Sequence, residues 1–417
     1  MTRMLVNPIF PSAFAVYPLP ASGPIPTELD SLSRVEDYAR TPTAPLAGPK
    51  LPAPSSQPPA SWPSEAEIAA LQAAAATDVP DESLRGAEAE HFDSRTRRDI
   101  AGLQQRQAEA EGTACLHRPV HRRQLFGGAV EVHWNPAFRQ LFTFFGQDLS
   151  QGLIRFSDAS NEANPDGASM FGMALELYGS DGKATDILLT GGSPRAEASQ
   201  ARDPEAQMAL FNMINHPCKL QGLGRIAWEV GPVSGMKMLL DVKKMRTDLD
   251  SLANLTAWSR APFALQGKDG KEYLVKLRTV PVQETTPLTA QGATTSDRLV
   301  DEFAQRARQG DTRWRLEVQF MRPEDDPNDA RETWSGPWVA AGEVVVPRSG
   351  DPAEAKRLWN LAHQTRFSVW KNKEAGAQAA DRDVLRPWGE MNRARHAAYM
   401  TAGLNRNCPF LQQAGTP

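Results

Sequence analysis

Cysteine is scarce in this chain: Cys115, Cys218 and Cys408 are the three among 417 residues. An odd number at wide spacing fits neither a disulfide framework nor a zinc site. No run approaches the ~18 apolar residues that a membrane span requires, so none is expected. Positive charge is not in excess either. The formal net charge is −4, and the cations are dispersed apart from Arg95-Thr96-Arg97-Arg98 and the run Arg118 to Arg123. That pattern gives no sign of a nucleic-acid partner. The first twenty residues lack an uninterrupted apolar core, being broken by Pro8, Pro11, Pro18 and Pro20. They make a poor secretory leader, and a reducing cytoplasm is the expected compartment.

Proline, by contrast, is concentrated. Residues 1–63 hold 14 of the 33 prolines, which reads as an extended arm. Ser64-Glu65-Ala66-Glu67 forms a capping box and predicts a helix to about Ala76. We divide the chain into a proline-rich arm with this short helix, residues 1–95, and a main domain, residues 96–417. A polar helix is expected from Arg97 to Glu111, on the surface or wrapped around a partner subunit.

From residue 117 to about 350 the texture is that of strands. Gly127 to Trp134, Gly152 to Ser157, Met173 to Tyr178, Ala184 to Leu189, Lys271 to Val282 and Glu343 to Pro347 are β-rich. Arg313 to Phe320 alternates, with Trp314, Leu316, Val318 and Phe320 on one face. Turns are expected at Gly179-Ser180-Asp181-Gly182 and at Gly267-Lys268-Asp269-Gly270. Helices are expected at Asp203 to Ile214, at Asp297 to Gln309, after Asp351-Pro352, and around Tyr399. Antiparallel strands with helices added late predict an α+β fold with an antiparallel β-barrel core.

The end of the chain carries chemistry. Arg395 and Tyr399 are four residues apart, so they share a helix face, and Arg406 returns to it two turns later. A phenol ordinarily loses its proton near pH 10, and a fixed cation nearby favours the phenolate. Phenolate is the form in which tyrosine ligates ferric haem iron. The bland alternative is a basic amphipathic helix with Arg393 and Arg395 solvated.

A second cluster stands some 270 residues earlier. Arg118-Pro119-Val120-His121 precedes the first strand, and Ile154-Arg155-Phe156-Ser157 opens another. With Phe171-Gly172-Met173-Ala174, Ala261-Pro262-Phe263-Ala264-Leu265 and Arg386-Pro387-Trp388-Gly389-Glu390-Met391-Asn392-Arg393-Ala394-Arg395 followed by Tyr399, the chain resembles the catalase superfamily over residues 115–410. The resemblance is to its shorter haem proteins, which include allene oxide synthases. It implies a haem b cofactor with Tyr399 as proximal iron ligand and Arg395 as its charge partner. It implies His121 as distal acid–base residue with Ser157 fixing its ring, and Arg118, Arg155 and Arg406 on the haem propionates. The expected activity is a peroxide-metabolising oxidoreductase of catalase or peroxidase type. A fatty-acid or other organic hydroperoxide converter and an inactive catalase-fold binding protein are the alternatives. Val120 matches catalases, where allene oxide synthases carry Thr.

Catalases also place an Asn beside the distal His. One register puts Thr190 there; another puts Asn215. Each residue has an ordinary reading as well: His121 as a surface histidine, Ser157 as a strand serine, Arg155 as a surface charge; His117, four residues before His121, is the competing histidine. His216 and His363 lack metal-ligand spacing. The expected partner is a peroxide, and the arm is compatible with a homo-oligomer.

Overall fold

A computed structural model of the chain describes residues 51, 62–76, 86–113, 116–145, 148–159, 168–178, 184–199, 201–214, 219–288, 297–369 and 385–405. The arm as far as residue 50, the Gly179–Gly182 turn, the three cysteines, Asn215, His216 and Arg406 lie outside the described residues.

The strands are β1 (Arg123–Trp134), β2 (Leu149–Asp158), β3 (Phe171–Tyr178), β4 (Ala184–Gly191), β5 (Ala257–Trp258), β6 (Phe263–Gln266), β7 (Glu272–Pro281), β8 (Thr312–Phe320), β9 (Trp338–Val346) and β10 (Arg386–Pro387). The helices are α1 (Glu65–Ala73), α2 (Gly86–Ala110), α3 (Pro136–Leu141), α4 (Pro204–Ile214), α5 (Lys219–Val230), α6 (Pro232–Met245), α7 (Arg298–Gln309), α8 (Pro352–Gln364) and α9 (Gly389–Asn405).

Alternation is what makes the barrel. In β8 every second residue, Trp314, Leu316, Val318 and Phe320, is buried, so one face of the strand is apolar and must be covered. Antiparallel pairing runs β1–β2–β3–β4–β5–β7–β8–β9, and β9 returns to β1, closing eight strands into a ring. Closure leaves no free edge on this ring. The register shifts between Gln124 and Phe126 and between Leu316 and Glu317, and irregularities of this kind add the local bend that a closed sheet needs. Outward from β7, β6 pairs with β7 and β10 with β6; β6 joins β7 through the expected Gly267–Gly270 turn, where Gly267 N–H donates to the Lys271 carbonyl (2.8 Å).

The interior is aromatic. Trp314 is fully buried, with its ring 5.6 Å from that of Phe156 and 6.3 Å from that of Phe303. Phe303 also meets Phe126 edge-on at 4.7 Å. Trp314→Ala removes the largest of these rings from a site that cannot collapse around the loss. We expect it to cost about 3–5 kcal/mol, read as a lowered denaturant midpoint.

The capping box at Ser64 forms with both of its hydrogen bonds, and α1 ends at Ala73, three residues earlier than expected. The helix expected from Arg97 begins at Gly86, and it is not a purely surface element. Ile100, Leu103, Gln104 and Ala108 are buried. Gln104 Nε2 donates to the Ala402 carbonyl of α9 (3.3 Å), and Asp93 accepts from Arg393 at 3.0 and 2.9 Å. A polar helix is thus pinned along the C-terminal one by a narrow apolar stripe and a two-pronged ion pair.

Candidate active site

β2 positions the first half of the site. Phe156 points into the aromatic core, so its neighbours Arg155 and Ser157 point to the other face of the sheet. The register carries that face across three strands. Ser157 pairs with Gly172 and Gly172 with Thr190; Arg155 pairs with Ala174 and Ala174 with Leu188. All six line a cavity of about 230 Å³ on the outside of the barrel.

The segment before β1 covers it. Arg118 and His121 line the cavity, and Arg118 Nη2 donates to the His363 carbonyl (2.6 Å). His121 has φ +52°, a left-handed conformation uncommon for a side-chain-bearing residue and typical of strained functional positions. His117 does not line the cavity; its carbonyl accepts from Gln104 (2.7 Å).

α9 supplies the remaining wall through one face: Met391, Arg395, Ala398, Tyr399 and Ala402. Its motif residues divide the work of holding that face in place. Gly389, at φ +81°, turns the chain from β10 into the helix. Asn392 is fully buried, and its Nδ2 donates to the Pro262 carbonyl at 2.7 Å. Arg393 ties the helix to α2. Arg395 donates to the carbonyls of Ser259 and Leu188, both at 3.2 Å. The solvated reading of Arg393 and Arg395 is therefore corrected: both are anchored in the fold. Tyr399 is 37% exposed and opens onto the cavity.

The electrostatics are one-sided. Among the described residues Arg118, Arg155, Arg260, Arg366 and Arg395 line the cavity, and no Asp, Glu or Lys does. The Arg155 guanidinium lies over the Phe367 ring, 5.5 Å from its centroid. His121 feels this directly. Burial, and then the charges of Arg155, Arg260 and Arg395, hold its pKa down to about 3 from the usual 6.5. At neutral pH the imidazole is uncharged and can accept a proton.

Gly172 makes the close packing possible. A Cβ there would stand 2.6 Å from Ser157 Oγ and 3.1 Å from His121 Nδ1. Nδ1 is buried and makes no hydrogen bond, so the expected Ser157–His121 hydrogen bond is not formed, although both side chains lie against this glycine. Gly172→Ala is expected to displace the imidazole while leaving the barrel folded. The checks are the amide and imidazole NMR signals of His121 alongside thermal unfolding.

Sequence reasoning missed several lining residues. Arg260, with φ +61°, donates Nε to the Ala196 carbonyl (3.0 Å). Burial and the Arg395 charge lower its pKa to about 10. Its place directly before the Ala261-Pro262-Phe263 motif was the available signal; its backbone conformation was not legible. Gln207 and Phe211 of α4 and Arg366 also line the cavity. Of the expected site residues, His121, Ser157, Thr190, Arg118, Arg155, Arg395 and Tyr399 meet here; Asn215 and Arg406 lie outside the described residues.

No protein-family model matches the sequence, and no curated protein matches it. Solved structures do. A fungal catalase superposes with a TM-score of 0.54 at 16% identity, covering 81% of this chain and 66% of that one. A bacterial catalase gives 0.51 at 16% identity, covering 90% of this chain and 69% of that one. The fold is that of catalases. The chain spans 66% of the length of the fungal catalase. No helix among the described residues is long and apolar enough to cross a membrane.

Proposed function

We propose that this chain is a haem-dependent oxidoreductase acting on peroxides. The observation that carries the reading is the convergence on one cavity of His121, held uncharged, of Tyr399, and, among the described residues, of five arginines with no acid. These residues suit haem b. The arginines offer fork-shaped partners to its propionates, the apolar face contributed by Met173, Ala174, Leu188 and Ala398 suits a flat macrocycle, and Tyr399 is an iron ligand of the catalase kind. Among the described residues no cluster of three His, Cys, Asp or Glu could hold a metal ion. When bound, haem supplies the redox chemistry of ferric iron.

The chain's own residues do the rest. Nδ1 of His121 is buried against Gly172, which leaves Nε2 as the nitrogen facing a ligand. Nε2 takes the proton from one oxygen of the peroxide and delivers it to the other, so that the departing group leaves as water or alcohol. Such proton transfer contributes roughly 10²–10⁴-fold. Arg395, fixed by two barrel carbonyls, holds positive charge on the tyrosine-bearing helix.

The substrate depends on what stands beside His121. Thr190 lines the cavity in the same rung as Gly172 and Ser157, where a carboxamide would orient hydrogen peroxide. A Thr there favours an organic hydroperoxide as the second reading. Oxygen release from hydrogen peroxide, measured beside consumption of a lipid hydroperoxide, separates the two. Fast oxygen release with the lipid hydroperoxide untouched supports the first; the reverse supports the second.

A further inference from the structure

Helices α5 and α6 form a hairpin whose outward surface is apolar. Trp228 is 90% exposed, Val233 82% and Leu220 80%. Leu223, Met236 and Leu240 are exposed with them. The hairpin is not short of a core. Its inner side buries Ile226 and Met238 against Ala206, Ala209, Leu210 and Met213, four of the cluster's residues carried by α4. Two apolar faces on one hairpin mean that the outer face is built for something other than packing within the chain.

The charges around that face decide what covers it. On α6, Val233, Met236 and Leu240 fall at i, i+3 and i+7, one stripe of the helix. Helical spacing sets Lys237 and Lys244 along one edge of the stripe and Lys243 along the other, and all three are exposed. The acid of this helix, Asp241, is only partly exposed and lies within electrostatic reach of Arg331 on the protein side. On α5, Arg225 is paired with Glu229 at 2.7 Å, so the net charge of the rim comes from lysine. Two copies meeting face to face through a twofold axis would bring lysine rims together, which is repulsive. An anionic phospholipid surface meets both demands. The apolar side chains enter the boundary between headgroups and acyl chains, the indole takes the interfacial position that tryptophan favours, and the lysine stems extend to the phosphates.

We propose that the α5–α6 hairpin docks this protein on anionic phospholipid membranes. The chain lies on the membrane through this face, without any helix among the described residues crossing it. The proposal does not depend on haem. It places α4, whose Gln207 and Phe211 line the cavity, between the docked hairpin and the site.

The test is sedimentation of the full chain with vesicles of phosphatidylcholine alone and of phosphatidylcholine mixed with phosphatidylglycerol, at low and high salt. Binding is expected to the mixed vesicles and to weaken with salt. The triple variant Lys237→Glu, Lys243→Glu, Lys244→Glu is expected to lower partitioning at least tenfold, taking roughly fivefold per lysine. The double variant Leu220→Ser, Trp228→Ser is expected to lower it comparably. Both variants change exposed side chains, and thermal unfolding is followed for each; the lysine variant carries the test if the serine variant unfolds. Absence of binding, or equal binding to both vesicles that the lysine variant leaves unchanged, overturns the proposal. So does a wild-type oligomer that the serine variant converts to monomer with no vesicle binding, since that assigns the face to a second copy.

Discussion

Tyr399→Phe is expected to abolish stable haem retention while leaving the fold intact. The phenyl ring keeps the volume and the place on α9, so the helix still packs on α2 and on the Pro262 loop through Asn392, Arg393 and Arg395. What disappears is the single oxygen that the cavity offers an iron from this helix. The arginines remain, so the propionates still have partners, and residual weak binding is expected. Purified variant and wild type, prepared with excess haem and desalted, are compared by Soret absorbance per chain. The variant should retain under about a tenth of the wild-type absorbance, because loss of the residue that would ligate the iron is expected to exceed the ~1.4 kcal/mol that corresponds to tenfold in affinity. Unchanged retention would remove Tyr399 from the iron and with it the floor of the proposed site.

The second large effect is at His121. Its left-handed backbone narrows the choice of replacement, and His121→Asn is suitable because Asn tolerates that conformation better than most residues. The variant cannot take up and return a proton. Turnover of peroxide is expected to fall roughly 10²–10⁴-fold with haem content unchanged, which distinguishes it from the Tyr399 variant.

The pH dependence follows from the same residue. With a folded-state pKa near 3, below the ordinary 6.5, His121 stays neutral, and able to accept a proton, from alkaline pH down to well below 6. Turnover should therefore show no acid limb near pH 6.5 attributable to His121. The sign for stability is the matching one. The unfolded chain binds the proton at about pH 6.5 and the folded chain does not until near pH 3. The contribution of this group to stability is therefore present above pH 6.5 and is lost as pH falls between those values. His121→Asn should flatten that part of the stability profile.

Much of this arrangement was legible in the sequence because it rests on periodicities. The alternation of Trp314, Leu316, Val318 and Phe320 indicated a strand with one buried face, and the four-residue step from Arg395 to Tyr399 indicated a shared helix face. Motif order was enough to bring His121 and Tyr399 into one expectation, although the cavity joining them is a product of tertiary structure. The pairing of β9 with β1 is long-range, and no local pattern announces it.

The α5–α6 hairpin was not anticipated at all. On α6 the apolar residues lie on both sides of the helix, so the one-sided pattern that marks a packed helix is absent there; in α5 Gly222 and Gly224 disfavour helix, and Gly231-Pro232 interrupts the run. Arg260 escaped notice because its importance comes from burial and from a left-handed backbone, neither of which a residue type discloses. The length of α2 was underestimated although Ala87 to Glu90 favour helix, because the weaker formers Asp93, Ser94 and Thr96 lie between them and Arg97.

The most direct test is the absorption spectrum of the full chain produced with ample haem, read with oxygen evolution on adding hydrogen peroxide. The account predicts one haem per chain, a Soret band that Tyr399→Phe removes, and peroxide consumption that His121→Asn suppresses. A well-folded preparation that takes up no haem under those conditions would contradict it.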